Sequence, residues 1–211
     1  MAQKPGENED LRVRRTRKAL QQALIDLTVE KGFAAITVRD LTERAMVNRS
    51  TFYRHYLDKR DLVRQYMDEI YATVHALVAE GFAARERGEP EERPRGLVWL
   101  MEHIETNADF YRAMLGPKGD PSFTEDFRQN IEKIHRKLVE YKGIVDDGSG
   151  PPISLRISHS SYASVGAIVW WLENNQPCTR DQLVDWLSQL TNASAAGGMP
   201  AATPQTMPTT S

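Results

Sequence analysis

Residues 37–62 read TVRDLTERAMVNRSTFYRHYLDKRDL, and this stretch predicts the fold of the N-terminal part of the chain. Thr37 is a favourable N-cap for a short helix whose apolar and small residues recur at three- and four-residue spacing. Residues 45–48 are few enough for a tight turn, and Asn48 is placed to cap a second helix over 49–56. Two short helices joined in this way form a helix-turn-helix.

The helix predicted over 49–56 is rich in hydrogen-bond donors. Phe52 and Tyr56 lie four residues apart and pack inward. Six polar side chains then face outward: Arg49, Ser50, Thr51, Tyr53, Arg54 and His55. Arginine binds guanine through two acceptors in the major groove, whereas hydroxyl and imidazole groups bond to phosphate oxygens. Any one of these residues alone would favour an ordinary solvated surface, but together they predict a helix that reads DNA.

The next helix offers a place for a phosphate group. Asp58 is its predicted cap, so Lys59 lies in the first turn beside backbone N–H groups that lack helical partners. The positive end of the helix dipole favours an anion at this position. We therefore expect Lys59 to contact the DNA backbone.

These residues resemble the DNA-binding domain of the TetR family of bacterial transcriptional regulators. The family pattern runs roughly T-x-x-x-[LI]-x-x-x-A-G-V-S-x-[GS]-T-[LF]-Y-x-[HY]-F-x-x-K-x-x-L. The matching residues are Thr37, Leu41, Ala45, Val47, Ser50, Thr51, Phe52, Tyr53, His55, Tyr56, Lys59 and Leu62. The resemblance implies phosphate contacts from Thr37, Thr51, Tyr53, His55 and Lys59. It implies base contacts from Arg49, Ser50 and Arg54, and we add Arg39, on the outward face of the preceding helix, to the DNA-contacting set.

Met46 departs from the family pattern, which has glycine at this position of the turn. If the turn requires a left-handed backbone conformation, methionine costs on the order of 1 kcal/mol more than glycine there. The shape of the turn, and with it the pitch of the reading helix, depends on this residue.

Charge is segregated along the chain. Residues 11–66 contain 13 Lys and Arg against 6 Asp and Glu, a net charge of +7, whereas the whole chain contains 27 against 29. Segregated charge predicts an electrostatic footprint for nucleic acid on the N-terminal part alone. Arg14 and Arg15 belong to a basic run at the start of the first helix, and we expect them to contact phosphates or the minor groove.

Composition indicates a cytoplasmic protein with no membrane partner. The chain of 211 residues is 40% apolar, enough to bury a core, and its N-terminus lacks an apolar signal segment. The longest uncharged apolar stretch, 157–172, is shorter than the about 20 residues that a membrane span needs. Cys178 is the single cysteine, so an internal disulfide is excluded and a free thiol is the simplest interpretation, with pairing between subunits as the less favoured alternative.

Helical periodicity extends over nearly the whole chain, which predicts an all-α fold of about nine helices. The first helix is predicted from Arg14 to Lys31, and a Ser122–Glu125 capping box is predicted to begin a later one. A long helix from Asp58 to about residue 87 links two domains. The predicted organisation is a disordered tail over 1–10, a helix-turn-helix DNA-binding domain over 11–57, a helical regulatory and dimerisation domain over 58–192, and a disordered tail over 193–211.

The last two predicted helices, over 153–174 and 180–192, indicate a homodimer. The first is apolar on most sides and carries a series of small residues, and a helix that is apolar beyond one stripe needs a second partner. The family resemblance also implies a four-helix bundle between two subunits. A purely intrachain core is the alternative. The predicted interface residues are Ser160, Ala163, Gly166, Ala167, Trp170, Leu183, Trp186, Leu187 and Leu190.

Aromatic and polar residues of the C-terminal part are candidates for a small-molecule site, which is usually an apolar pocket with a few polar anchors. The candidates are Trp99, His103, Phe110, Tyr111, Met114, Phe127, His135 and Tyr162. Such residues at helical spacing more often form ordinary core. No cofactor, metal or enzymatic activity is predicted, because Glu132 and His135 form a single Glu-x-x-His pair whereas a di-iron bundle needs two pairs and two further Glu residues.

Two functions remain open from the sequence. The favoured one is a homodimeric repressor that binds a pseudo-palindromic operator in double-stranded DNA and is released by a small-molecule effector. The alternative is an adaptor that keeps the DNA-binding domain but responds to a protein partner, as a coactivator or co-repressor. A closed cavity in the regulatory domain would favour the first function, and a void-free domain with an exposed apolar patch would favour the second.

Overall fold

The computed structural model describes residues 5–89, 92–148 and 150–196. Within these ranges the chain forms nine α-helices, a short 3-10 turn at Phe33–Ala35 and no β-strand, which confirms the predicted all-α fold. The α-helices in chain order are α1 (Pro5–Lys31), α2 (Val38–Arg44), α3 (Arg49–His55), α4 (Lys59–Glu86), α5 (Arg95–Thr106), α6 (Ala108–Leu115), α7 (Pro121–Tyr141), α8 (Ile153–Glu173) and α9 (Arg180–Ala196).

Helix α1 begins at Pro5 rather than at the predicted Arg14, so residues 5–10 are helical instead of forming part of a tail. Proline suits the first turn of a helix because its φ angle is already helical and its missing N–H has no partner to lose. The acidic residues that follow in PGENED favour the positive end of the helix dipole. Residues 1–4 lie outside the described ranges.

The caps of the helix-turn-helix follow the sequence only in part. Thr37 caps α2 as predicted, and Asp40 completes a capping box by accepting the backbone N–H of Thr37 at 2.8 Å. Asn48 is the N-cap residue of α3, but its side chain makes no capping hydrogen bond, which corrects the expectation. Its backbone carbonyl instead accepts from Thr51 and Phe52, at 2.9 and 3.1 Å.

Helix α7 begins earlier than the predicted capping box at Ser122. Asp120 is its N-cap, and the Asp120 carboxylate accepts the backbone N–H groups of Ser122 and Phe123 at 2.9 and 3.3 Å. Pro121 fills the first helical position, where its fixed φ is favourable. The loop that separates α6 from α7 is therefore two residues shorter than the sequence suggested.

Helix α9 starts as predicted and ends later. The reciprocal bonds of its capping box are present, from the Thr179 N–H to the Gln182 side chain at 3.0 Å and from the Gln182 N–H to the Thr179 hydroxyl at 3.2 Å. The helix continues through Ala196, into the region predicted as a tail from residue 193. The rest of that predicted tail, 197–211, lies outside the described ranges.

A single apolar core extends from the first helices to the last, and α4 belongs to both halves of it. Its N-terminal turns pack on the small three-helix unit through Leu62, and its later turns pack among α5 and α7 through Val74. An ion pair of 3.4 Å between Arg60 of α4 and Asp120 at the start of α7 links the two halves at the surface. No helix in the described ranges is both long enough and apolar enough to span a membrane.

Candidate DNA-binding surface and ligand cavities

Helices α2 and α3 form a helix-turn-helix whose inner side is fully packed. Leu41 and Phe52 are completely buried and Tyr56 nearly so, and the rings of Phe52 and Tyr56 lie 5.5 Å apart. These contacts hold the two short helices against α1 and α4. The opposite face of α3 is therefore presented to solvent as a rigid surface.

The outward face of α3 carries the predicted donors. Arg49, Ser50, Tyr53 and Arg54 are exposed, whereas Thr51 and His55 are half-buried. Among the residues that the structure describes, no ion pair or side-chain hydrogen bond holds Arg49, Ser50 or Arg54. Their donors are available to an external acceptor.

Lys59 is not a free phosphate donor, which corrects the sequence prediction. Its ammonium group donates to three backbone carbonyls of the α1–α2 connection, those of Phe33, Ala34 and Ile36, at 2.8, 2.9 and 2.8 Å. It also lies 4.8 Å from the centroid of the Phe33 ring. Burial lowers the pKa of Lys59 despite neighbouring carboxylates. An ammonium has three N–H groups, so the side chain ties α4 to the α1–α2 connection and has no donor left.

Two further predicted contacts have partners inside the chain. The Thr37 hydroxyl bonds to the Asp40 carboxylate at 2.7 Å, and Lys31 and Thr37 together hold the pKa of Asp40 far below its usual range. Arg39 forms an ion pair of 2.6 Å with Glu43, one turn along α2. The Arg39–Glu43 ion pair is exposed, and an exposed ion pair contributes only about 0–1 kcal/mol. Arg39 can therefore exchange Glu43 for a phosphate at little cost.

Helix α1 adds basic residues beside α3. Arg14 and Arg15 are exposed, as predicted, and Arg17 lies close enough to His55 to lower the pKa of that imidazole, after the larger effect of burial. Arg54 acts on His55 in the same direction. Arg17 belongs to the same basic run of α1, and its three-residue spacing from Arg14 places both on one face of the helix.

Met46 occupies the turn between α2 and α3 in the left-handed conformation, with φ 53°. Its side chain is 91% exposed and gains no packing in return. The turn therefore has the left-handed conformation that the glycine of the family pattern would adopt easily. Met46 does not change the shape of the turn. The backbone strain at Met46 is offset by the packing of the helices around the turn.

Helices α8 and α9 present an apolar strip at the surface. Trp170 and Trp186 are each 46% exposed, Leu190 is more exposed still, and Ala163 and Gly166 lie in the same exposed face of α8. The remaining predicted interface residues differ. Ser160, Leu183 and Leu187 are buried within the chain, and Ala167 is half-buried. Each helix has two apolar sides, and the sequence alone did not separate the inner from the outer one.

Most of the predicted ligand residues form core rather than line a cavity. Phe110, Tyr111 and Phe127 are completely buried, with neighbouring ring centroids 5.4 to 6.0 Å apart. Trp99 stacks on His103 at 5.6 Å, and His103 bonds to the Tyr66 hydroxyl at 3.2 Å. Large side chains that pack ring against ring leave no space for a ligand.

Tyr162 and Met114 also depart from the predicted site. Tyr162 is 60% exposed on α8, and the Arg128 guanidinium lies 4.8 Å from the centroid of its ring. Tyr162 thus belongs to the exposed strip of α8. Met114 is completely buried and borders a cleft between α4 and α7 that is described below.

His135 is the predicted ligand residue that lines an apolar cavity. This cavity, of about 130 Å³, lies among α4, α5, α7, α8 and α9. Its wall is mostly aliphatic, with Ile134, Leu138 and Leu187 beside Ser164 and Asn192. The other lining residues are Val74, Val78, Phe82, Arg85, Pro94, Arg95, Gly96, Leu97, Leu100, Ile131, Ile168, Ser188 and Thr191.

The His135 imidazole is the buried polar group of this cavity. It is 8% exposed, and its Nδ1 atom has no hydrogen-bond partner among the described residues. Burial lowers the pKa of His135 to about 4, so the ring is neutral near pH 7. Glu132, which shares the Glu-x-x-His spacing, is bonded to Arg128 and Arg136 at 2.6 and 3.0 Å. The described residues contain no cluster of His, Cys, Asp and Glu that could hold a metal ion.

Two family models match the chain. One, described as bacterial regulatory proteins of the tetR family, matches residues 22–66, and the other, described as a transcriptional regulator C-terminal region, matches residues 91–193. The first range contains the whole helix-turn-helix. The second contains α5 to α8 and nearly all of α9.

Individual proteins are similar to the chain over different lengths. An uncharacterized HTH-type transcriptional regulator, YxbF of Bacillus subtilis (strain 168), is 41% identical over 76 residues, 33% of this chain and 20% of that protein. The chain thus matches only one fifth of the length of this relative. The structure of a TetR transcriptional regulator from Streptococcus agalactiae 2603V is 26% identical, with a TM-score of 0.63, and the match covers 88% of this chain and 98% of that one.

A third similarity concerns the fold alone. The dihydroxyacetone kinase operon activator DhaS is 16% identical to this chain, with a TM-score of 0.64, and the match covers 86% of this chain and 96% of that one. The arrangement of the helices is thus shared well beyond the DNA-binding unit.

Proposed function

Because this chain belongs to the TetR family of bacterial transcriptional regulators, we propose that it is a homodimeric repressor that binds a pseudo-palindromic operator and releases it when a small molecule binds. The observation that carries the proposal is the outward face of α3. Arg49, Ser50 and Arg54 are exposed there on a rigidly packed helix, with no partner among the described residues. Side chains arranged in this way suit contacts to base edges in the major groove.

Contacts with the DNA backbone are proposed for the residues around this helix. Tyr53, Thr51 and His55 lie on α3, and Arg14 and Arg15 are exposed on α1, the helix whose Arg17 lies near His55. Arg39 joins them by leaving Glu43. For Thr37 and Lys59 we propose an indirect role, since their side chains hold the α1–α2 connection and the start of α4 in place.

Dimerisation is proposed through the exposed strip of α8 and α9. It is defined here by Ala163, Gly166, Trp170, Trp186 and Leu190. Half-exposed tryptophans are frequent anchors of protein interfaces, since they bury a large apolar area at a small entropic cost. A two-fold dimer would place its two α3 helices one turn of DNA apart, about 34–36 Å, and this spacing requires a pseudo-palindromic site.

The effector is proposed to enter the apolar cavity beside His135. A cavity of about 130 Å³ is close in size to an engineered apolar cavity of about 150 Å³ that admits benzene. The neutral His135 and Asn192 offer polar anchors at a mostly aliphatic wall, the usual composition of a small-molecule site. A compact apolar molecule with one polar end fits these features. The cavity is partly open rather than closed, and it supports a ligand site. The exposed apolar residues of α8 and α9 are the feature expected for the adaptor alternative, and they are assigned here to the dimer interface.

Operator selection tests the proposal directly. Random DNA fragments selected by the purified protein should converge on one sequence with two-fold symmetry, and the Arg54→Ala and Arg49→Ala variants should each lose about 1 to 3 kcal/mol of discrimination against altered bases. Arg136→Ala is the matched control, because Arg136 is exposed on α7 and pairs only with Glu132. Selection that yields no common sequence, or unchanged discrimination in both α3 variants, would contradict the DNA-binding role of α3.

Release by an effector is tested with the selected operator. A ligand that favours the released state lowers the affinity of the protein for operator. Operator must lower the affinity of the protein for the ligand by the same factor, typically about 5- to 150-fold. Calorimetric titrations of the ligand with and without operator measure the loss of ligand affinity, and titrations of the operator with and without ligand measure the loss of operator affinity. A ligand whose affinity is equal with and without operator is not the effector.

A further inference from the structure

A second cavity, of about 220 Å³, lies where the DNA-binding unit meets the regulatory half. It opens between the first four turns of α4 and the first four turns of α7, with Phe33 of the 3-10 turn and Met114 of α6 at its base. The volume corresponds to the share of about seven liquid water molecules. It is separate from the apolar cavity beside His135, and the two have no lining residue in common.

The floor of this junction cavity contains an unsatisfied phenol. Tyr71 is 7% exposed and lines the cavity, and its hydroxyl group is buried without a hydrogen-bond partner in the described part of the chain. Val63, Met67 and Phe123 supply the apolar surface around it. Burial raises the pKa of Tyr71 well above its ordinary value, so the hydroxyl stays neutral. A buried hydroxyl without a partner is unfavourable, and a polar group of a ligand would supply the missing hydrogen bond.

Negative charge faces the hydroxyl from both walls. Asp68 of α4 and Asp126 of α7 line the cavity, and both carboxylates raise the pKa of Tyr71 further. Asp126 has no ion-pair partner among the described residues, and Asp68 has a long one, 3.8 Å from Arg64. The two carboxylates line the cavity from opposite helices, so a cation bound in the cavity would be attracted by both.

Two of the three basic lining residues pair with carboxylates that line the same cavity, Arg60 with Asp120 and Arg64 with Asp68. The Arg60–Asp120 distance is 3.4 Å, and Arg64 also bonds to Asp61. Lys133 is the remaining cation of the lining, and it lies about two turns along α7 from Asp126. Asp126 is therefore the lining carboxylate that has no ion-pair partner among the described residues.

We propose that the junction cavity binds a small organic amine, with its ammonium group between Asp68, Asp126 and the Tyr71 hydroxyl and its apolar body on Met67 and Phe123. An ammonium group donates to both carboxylates and to the hydroxyl oxygen, which leaves the phenolic proton to a further acceptor. The site does not depend on the effector proposed above, so the failure of either proposal would leave the other intact.

Three probes of one shape test the charge preference: phenethylamine, 2-phenylethanol and phenylacetate. Calorimetric titration of the full-length protein at pH 7 should give the tightest binding for the amine and the weakest for the acid. A charge-assisted hydrogen bond is worth about 1.5–3 kcal/mol, so the amine should bind at least about tenfold more tightly than the alcohol. Equal binding of the three probes, or no binding of the amine at millimolar concentration, would overturn the proposal.

Variants locate the bound amine. Asp126→Asn should weaken phenethylamine binding by about tenfold or more, and Tyr71→Phe, which keeps the ring, should weaken it by a smaller factor. Glu140→Gln, an exposed carboxylate on α7 outside the cavity, should have no effect. Ser188→Phe, which obstructs the cavity beside His135, should have none either. Loss of binding in Ser188→Phe but not in Asp126→Asn would place the amine in the other cavity and overturn the assignment.

Discussion

The reading surface of α3 and the cavities of the regulatory half differ in how far their residues follow from the sequence. On α3, the helical period places Phe52 inside and Arg49, Ser50 and Arg54 outside, and the structure has each of them on the expected side. In the regulatory half, the rings that looked suited to a ligand are the ones that fill the core. A surface is defined by the side chains that point away from the protein, whereas a cavity is defined by the space that packing leaves empty.

Within the DNA-binding unit, the sequence predicts where the hydrogen-bond donors lie but not which of them are bonded inside the chain. Lys59 and Thr37 occupy the places that the motif predicts, and Arg39 lies on the outward face of α2, yet each is bonded inside the chain. A motif fixes where a donor lies, and only the folded neighbours show whether that donor is free. The predictions that follow test this division, from the largest expected effect to the smallest.

The largest effect is expected at the exposed strip. A Cβ atom added at the exposed Gly166 would meet no atom of a neighbouring element within 4 Å, so Gly166→Trp should leave the protomer folded. If the strip is the dimer interface, the indole should separate the subunits and lower operator affinity by about 10²–10⁴-fold, because each half-site is then bound alone. Analytical ultracentrifugation and operator titration measure both. Ala79→Trp, on the exposed side of α4, is the control, and a fully dimeric Gly166→Trp protein would contradict the interface.

The second effect concerns the tie between α4 and the α1–α2 connection. Lys59→Met keeps the aliphatic stem but leaves three backbone carbonyls without their donor, so the free energy of unfolding should fall by about 2 to 3 kcal/mol. Lys18→Met, at an exposed position of α1, should change it by less than about 0.5 kcal/mol. Urea titrations give these values. If Lys59→Met is as stable as the wild type but binds all DNA sequences more weakly, the side chain is a phosphate contact after all.

The third effect is a pH dependence that originates at the apolar cavity. The folded protein keeps His135 neutral down to about pH 4, whereas the unfolded chain protonates it near the ordinary value of about 6.5. Between about pH 6.5 and pH 4 the protein therefore takes up a proton when it unfolds. The free energy of unfolding falls as the pH falls through this range. The loss should be on the order of 2 kcal/mol at pH 5.

His135→Gln should remove this part of the pH dependence. The measurement is the difference in unfolding free energy between pH 7 and pH 5, for the variant and for the wild type. His159→Gln, at an exposed position of α8, is the control and should retain the full dependence. An unchanged dependence in His135→Gln would show that another group causes it.

The smallest effect is expected at the turn of the helix-turn-helix. Met46→Gly should raise the free energy of unfolding by about 0.5 to 1 kcal/mol, since glycine adopts a positive φ without the steric cost that methionine carries. The gain is limited because glycine is more flexible in the unfolded chain. Met46→Ala keeps the Cβ atom and should be close to the wild type. A destabilised Met46→Gly protein would mean that the exposed side chain makes contacts that stabilise the turn.

The sequence by itself determined the helical class, the helix-turn-helix and the outward donors of α3, because these depend on the spacing of residues within a few turns. The Thr179–Gln182 capping box was predictable for the same reason, since its partners are three residues apart. Pro5 at the first position of α1 is also a local signal for a helix start, but the polar composition of the segment is equally typical of a tail.

The tertiary structure decided what depends on residues far apart in the chain. The three carbonyls that hold Lys59 lie 23 to 26 residues away from it, and no periodicity reports such a contact. The same holds for the buried sides of α8 and α9, where Leu183 and Leu187 face inward while Trp186 and Leu190 face outward. Burial is a property of the assembled neighbours, so two apolar sides of one helix look alike until the packing of the chain covers one of them.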